Sequence, residues 1–528
     1  MRIHRYRGYD LRHGVFLAVA IGALALLSAG NAEAQTPSAR GPLRFSIRLS
    51  PAVAPRGASG RLLVFMSRAQ AAPPTIEWEF GATDRWVAAM EVEYIGPGQT
   101  LVFDPDEKAY PEAFSKAPKG TAHFMALLDT EHRYAYSGPG AGNILSRVVS
   151  VKDLDPANAE PIELTLDRAA PRPAAPRDAP SIKLVTLQSN LLSAFWGRPI
   201  VMRAGVVLPP AYARQLARRF ATVYHVHGFG GGLGEAWQDG PELLRDMAAG
   251  RRAQMVHVFL DASCPTGHHV FADSVNNGPW GRALTQEFIP YLEKRFRLVA
   301  SPSARFLTGH SSGGWSTLWL QITYPERFGG VWSTSPDPVD LSCFTGIDAR
   351  PGSRDNAYRR ADGRAKNLVR VGTRPVLSIE QWVKQEMVLG DYGGQFASFE
   401  WVWSPRGKDG RPMKLFNRTT GVQDPLVQRY WQRYDIRHVL STNWTLLGPK
   451  LRGKLHIFCG DLDTFHLNEA AARLFDFLRR VHSDAVCEMV PGRNHFDLYE
   501  PCATYPHGLA ARIDREMWAA FVRRHPQR

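Results

Sequence analysis

The sequence predicts an α/β architecture, a mostly parallel sheet with helices on both faces, preceded by a small all-β region. Three observations carry this. From residue 181 onward, apolar runs of strand length alternate with helix-like segments, as strands joined by helical crossovers do. Before residue 168, short alternating runs such as Arg44 to Leu49, Leu62 to Met66 and His123 to Leu128 are separated by Gly/Pro turns. Between them lies 169–180, where Pro171, Pro173, Pro176 and Pro180 stand among alanines as a stiff connector.

These divisions give four expected parts. Residues 1–34 read as a secretory signal peptide: Arg2, Arg5, Arg7 and Arg12 precede the apolar run Val15 to Leu27, and Ala32-Glu33-Ala34 offers a cleavage site. That run is short for a membrane span, and no other segment approaches the ~20 apolar residues one needs. The expectation is an exported chain, periplasmic or secreted, without a transmembrane segment. Residues 41–168 are expected to form a β-sandwich, 169–180 a linker, and 181–528 the α/β domain.

The chain carries 64 Lys and Arg against 50 Asp and Glu. The excess is mostly dispersed arginine, with no zinc-finger spacing, no RNA-binding aromatic signature and no dense basic tract, so a nucleic-acid partner is not expected. Cys264, Cys343, Cys459, Cys487 and Cys502 allow at most two disulfides in an oxidising compartment. None of their spacings is that of a metal site.

Chemistry enters at Gly309-His310-Ser311-Ser312-Gly313-Gly314, between the strand-like Arg305-Phe306-Leu307 and the amphipathic run from Trp315 to Tyr324. Strand, Gly-x-Ser-x-Gly turn and helix in that order form a nucleophile elbow, which makes Ser311 the candidate nucleophile. A serine hydroxyl needs a base, a group that orients the base, and donors for an oxyanion. The strand Ala221 to Val226 runs into His227-Gly228-Phe229-Gly230-Gly231-Gly232, a loop whose backbone amides suit an oxyanion hole. Phe229 or Gly230 is expected to supply one N–H and Ser312 the other. Downstream, Cys459-Gly460-Asp461-Leu462-Asp463 and Gly492-Arg493-Asn494-His495 each follow a strand. Asp463, three residues after the turn glycine, is the preferred acid and Asp461 the fallback, with His495 as base. The chain order Ser, Asp, His is that of α/β-hydrolases.

Two further segments invite a functional reading. Gly267 to Gly281 is dense in polar and aromatic residues, and His268, His269, Asn277 and Trp280 are expected to line the substrate pocket. Adjacent histidines point apart in an extended chain, so they make a poor chelating pair and no metal is expected. About 340–450 reads as an insertion over the carboxyl ends of the strands, rich in tryptophan (Trp382, Trp401, Trp403, Trp431, Trp444). Most of these tryptophans are expected to form the insertion's own core.

With these four loops, and with Gly278-Pro279-Trp280 followed by Glu287-Phe288-Ile289-Pro290, the chain resembles the Putative esterase (esterase D-like) family of α/β-hydrolases, which includes enterochelin, feruloyl and acetylxylan esterases. The resemblance covers roughly 181–528. It implies hydrolysis of small-molecule or polysaccharide-linked carboxylic esters through an acyl-enzyme, without a cofactor. Two other readings stand beside it. A serine peptidase of prolyl-oligopeptidase type shares the elbow, but its propeller needs blades of about 40 residues each, more than 41–168 can hold. A non-catalytic envelope- or polysaccharide-binding protein on the same fold has no physical need of a complete triad.

Overall fold

The computed structural model describes residues 40–526 except 70–83, 172, 173, 175 and 391. The signal-peptide segment 1–34 and Pro173 of the connector therefore lie outside the described residues. From Arg40 onward the chain forms one compact unit.

Its catalytic half is built on eight strands: β1 (Ile182–Gln188), β2 (Val201–Val207), β3 (Thr222–Val226), β4 (Val256–Leu260), β5 (Arg305–His310), β6 (Gly330–Thr334), β7 (Leu455–Gly460) and β8 (Val486–Val490). They lie in the order β1-β2-β4-β3-β5-β6-β7-β8. The first two pairings, β1 with β2 and β2 with β4, are antiparallel, and the remainder are parallel. Sequence explains the layering: Val-His-Val-Phe-Leu in β4 and Gly-Val-Trp-Ser-Thr in β6 are buried at every position, as strands covered on both faces must be. Helices α1 (Glu235–Ala248), α2 (Ser312–Thr323), α3 (Ile379–Leu389), α4 (Gln395–Trp403), α5 (Leu467–Arg480) and α6 (Leu509–Arg524) accompany the sheet. All the parallel strands end on the same side, where loops from β3, β5, β6, β7 and β8 converge. This is the α/β-hydrolase fold.

Among the described residues, the N-terminal region contributes nine strands between Phe45 and Ala169, joined in one hydrogen-bonded network. Its pairings are antiparallel except that Phe45–Leu49 runs parallel to Ile162–Leu166. Alternation along Ala58–Ser67 sends Leu62, Val64 and Met66 into the region's own core. Leu63 and Phe65 face the other way, against Val388 and Leu389 at the end of α3. Both faces of this strand are thus buried, the second by a helix of the catalytic half. Arg61 fastens the join: its Nε and Nη2 donate to the carbonyls of Val388 (2.8 Å) and Met387 (2.7 Å), and its Nη1 pairs with Glu91. A cation there satisfies last-turn carbonyls that the helix leaves open. The connector also lies on the catalytic half, with Trp237 Nε1 donating to Arg177 O at 2.8 Å.

In the insertion, Trp382, Trp403 and Trp431 are fully buried. Trp403 packs on Trp315 of α2 at 4.9 Å and edge-on to Trp431 at 5.1 Å. Trp403 thus joins the insertion to α2, with Trp431 packed against it. All five cysteines are free thiols.

Candidate active site

Ser311 sits where β5 turns into α2, with φ 59° and ψ −124°. A side-chain-bearing residue holds that conformation only when its surroundings impose it. Here they do. The Ser311 N–H donates to Thr334 O (3.1 Å), and its carbonyl accepts from Trp315 N–H (3.0 Å) and Asp337 N–H (3.1 Å). The glycines are compulsory for steric reasons: a Cβ on Gly309 would lie 2.4 Å from Gly313 O, one on Gly313 2.0 Å from Val226 O, and one on Gly314 2.6 Å from Thr334 O.

Asp463 and His495, the candidate acid and base, arrive on the neighbouring strand ends. A Cβ on Gly460 would meet Arg493 O at 2.1 Å, so the turn after β7 and the loop after β8 pack backbone on backbone. This brings His495 Nδ1 to 2.8 Å from Asp463 Oδ2. Asp463 is completely buried and its other oxygen accepts from the amides of Phe465 (2.9 Å) and Leu467 (3.3 Å). Burial opposes its charge, but the imidazole and these amides prevail and hold the carboxyl below its ordinary range. Asp461 instead accepts from Gly492 N–H at 2.7 Å. With Nδ1 donating to Asp463, Nε2 of His495 is the basic nitrogen. His310 lies against His495 with ring centroids 4.4 Å apart; burial above all, then the neighbouring His495, pushes it down to about 3, which keeps it neutral.

The His227 loop borders Ser311: a Cβ on Gly228 would lie 3.5 Å from Ser311 Cβ. His227 Nε2 accepts from Ala262 N–H at 2.9 Å and Nδ1 donates to Gly228 O at 2.8 Å, tying the loop to the end of β4. Ser312 is buried at the first turn of α2, where amides point out of the helix end. Phe229 and Gly230 thus stand in the loop beside Ser311, and Ser312 at the start of the helix that follows it.

The other expected pocket residues have a different position. His268, His269, Asn277 and Trp280 are all buried, and none lines the cavity at Ser311. His268 Nε2 donates to His227 O (2.9 Å), His269 stacks on Trp280 at 3.6 Å, and Asn277 Oδ1 accepts from Thr266 Oγ1 (2.9 Å). His268 thereby supports the His227 loop, whereas His269 Nε2 and Asn277 Nδ2 are buried without a hydrogen-bond partner among the described residues.

Asp337 was not suggested by any motif. It follows β6 in Ser335-Pro336-Asp337-Pro338, and the paired prolines at a strand end were the only signal. Ser311 Oγ donates to its Oδ1 at 3.5 Å, the far limit of a hydrogen bond, and Ser312 Oγ donates to Oδ2. Burial pushes the Asp337 carboxyl up to about 6, against the opposing pull of the Ser312 hydroxyl and His495. Asp337, Phe396, Phe399, Phe465 and Leu368 help line a cavity of about 20 Å3 at Ser311, room for one water. Phe396 and Phe399, one turn apart on α4, are the insertion's aromatic contribution to this wall. Among the described residues there is no His, Cys, Asp and Glu group able to hold a metal.

Arg370, from the insertion, braces Asp463. Its Nε donates to Asp463 O (2.9 Å), its Nη2 to Asn468 Oδ1 (3.0 Å), and its N–H to Thr464 O (2.9 Å). Arg370→Gln is expected to lower kcat about fivefold at unchanged KM, the equivalent of ~1 kcal/mol of lost positioning. Steady-state kinetics on p-nitrophenyl acetate check this, and an unaltered kcat would refute it.

A family model described as Putative esterase matches residues 199–495, more than half of the chain. Solved structures similar to it include a ferulic acid esterase (15% identity, TM-score 0.40, covering 65% of this chain and 99% of that one). Others are FphF, a fluorophosphonate-binding serine hydrolase of Staphylococcus aureus (14%, 0.38, 65% and 98%), and an S-formylglutathione hydrolase from Agrobacterium tumefaciens (14%, 0.36, 65% and 95%). No curated protein matches. No helix among the described residues is long and apolar enough to cross a membrane. On the family match, the chain belongs to the Putative esterase family and is a carboxylic ester hydrolase of α/β-hydrolase fold.

Proposed function

We propose that the protein is an exported serine esterase that cleaves short-chain carboxylic esters, acetyl esters first, through an acyl-enzyme on Ser311. The observation that carries the reading is the His495–Asp463 pair at 2.8 Å, beside a serine held at φ 59°. Ser311 Oγ attacks the carbonyl carbon while His495 Nε2 takes its proton; Asp463 holds the imidazole in the Nδ1–H tautomer and balances its transient charge. The oxyanion is held by the amides of Ser312 and of Phe229 or Gly230. The imidazolium then returns the proton to the departing alkoxide, and water, deprotonated by the same nitrogen, releases the acid.

The cavity supports the choice of acyl group. Lined by Asp337 and three phenylalanines, with room for one water beside Ser311, it favours a small acyl group such as acetyl. Enterochelin and feruloyl esters are therefore secondary candidates, and acetylated sugars the leading natural class. Export rests on the sequence pattern of 1–34. The nine-strand N-terminal region is read as part of the enzyme, a folded-over sheet with an internal core on one side.

The test pairs two measurements. A fluorophosphonate probe is expected to label the peptide containing Ser311 and no other, as read by mass spectrometry. kcat/KM for p-nitrophenyl acetate is expected to exceed that for the butyrate at least about tenfold, the discrimination one or two misfitting methylenes give. Labelling elsewhere would overturn the nucleophile, and a preference for butyrate would overturn the acyl assignment.

A further inference from the structure

The oxyanion loop is supported from an unexpected direction. Tyr136 belongs to a short turn, Tyr134–Ser137, that follows the N-terminal strand Gly120–Asp129. Asp129, buried, fixes this turn by accepting from Tyr134 N–H (2.8 Å) and Asn143 Nδ2 (2.9 Å). The turn projects Tyr136 out of the N-terminal region and into the catalytic half, where the side chain is 6% exposed. Its hydroxyl donates to Gly231 O at 3.0 Å, and its ring meets Phe229 edge to face at 5.0 Å. Behind the ring, a Cβ on Gly393 of the insertion would come 2.8 Å from Tyr136 Cβ, so the insertion closes on it from the far side.

The loop needs such a support. Four of the six residues from His227 to Gly232 are glycine, which gives close approach to the substrate but leaves the backbone many conformations to choose from. His227 anchors the start of the loop and α1 its end. Nothing else reaches the carbonyl of Gly231 among the described hydrogen bonds. Burial first, then the nearby Cys264, Asp261 and Glu235, raises the Tyr136 hydroxyl well above its ordinary value, so it remains a donor across the working pH range.

We propose that Tyr136 is a positioning residue for the oxyanion loop, and that the N-terminal sheet thereby completes the active site of the esterase. The inference rests on the serine-esterase reading above. It gives the sheet a role in turnover that a separate binding module would not have.

The experiment uses the full chain. Tyr136→Phe removes only the hydroxyl and is expected to lower kcat for p-nitrophenyl acetate about tenfold, with KM within about twofold of wild type, as expected for an interaction felt mainly in the transition state. Tyr136→Ala also removes the ring and is expected to cost about 100-fold, the lower end of what loss of one oxyanion donor costs. Binding of a trifluoromethyl ketone, whose tetrahedral adduct occupies the oxyanion hole, is expected to weaken in parallel with kcat/KM. Tyr94→Phe, which removes a hydroxyl bonded to Arg56 O on the exposed side of the same region, is the control and is expected to match wild type. A Tyr136→Phe enzyme with wild-type kcat and ketone affinity overturns the inference, as does one with a lower melting temperature and intact kcat. A rise in KM at constant kcat also overturns it, since that marks a substrate contact. A wild type without turnover or Ser311 labelling overturns the serine-esterase reading and this role with it, whereas an active wild type beside an equally active Tyr136→Phe removes this role alone.

Discussion

Ser311→Ala is expected to lower ester turnover on the order of 10^6-fold, and His495→Ala by as much, because members of such a unit fail together and not in proportion. Asp463→Asn is expected to cost about 10^4-fold: the amide keeps the shape but presents its N–H to Nδ1, which turns the imidazole to the wrong tautomer. The buried 2.8 Å contact makes this outcome specific to Asp463. Asp461→Asn, altering a carboxylate that only receives Gly492 N–H, is expected to stay within a fewfold of wild type. Steady-state kinetics on p-nitrophenyl acetate, with fluorophosphonate labelling of each variant, checks the set. An Asp461 variant as impaired as the Asp463 variant would refute the assignment of the acid.

Asp337→Asn is expected to stabilise the protein at neutral pH while leaving it unchanged in acid. The native carboxyl is pushed up to about 6 by burial, whereas in the unfolded chain it returns to its ordinary value near 3.8. Between these values the folded state keeps the proton and the unfolded state has lost it, so stability falls as pH rises through the interval. A displacement of about 2 pH units corresponds to about 3 kcal/mol lost by pH 7. The asparagine has no charge to bury, and its carbonyl still accepts from Ser312 Oγ. The melting temperature of the variant is therefore expected to exceed that of wild type at pH 7.5 and to converge with it near pH 4. A gap of equal size at both would show that the charge is not the cause. A buried carboxylate kept beside the nucleophile at such a cost marks a functional position.

How much of this was legible in the sequence depends on how far apart the cooperating residues lie. The elbow, the His227 loop and the two loops after β7 and β8 are each specified within six or so consecutive residues. Their chain order follows from strand topology, so a short window suffices to find them. Asp337, Phe396, Phe399 and Tyr136 reach the site by packing between distant segments, and no local pattern announces such a meeting. The segment with His268, His269, Asn277 and Trp280 misleads for the opposite reason: its polar groups serve hydrogen bonds within the loop, to the His227 loop and to the insertion, and end up buried. In the N-terminal region alternation identified strands correctly, but whether they form one network or two sheets depends on pairings such as Phe45 with Ile162, which alternation does not encode.

The docking of Arg61, Leu63 and Phe65 onto the end of α3 has a consequence for biosynthesis. The N-terminal strands are complete once residue 169 has been made, yet the helix that covers their second face ends at Leu389. At about 5–20 residues per second a ribosome needs on the order of 10–40 s to cross that interval. Throughout it, Leu63, Phe65 and Met125 stand open to other chains, which makes the nascent protein a client for chaperones until its insertion emerges.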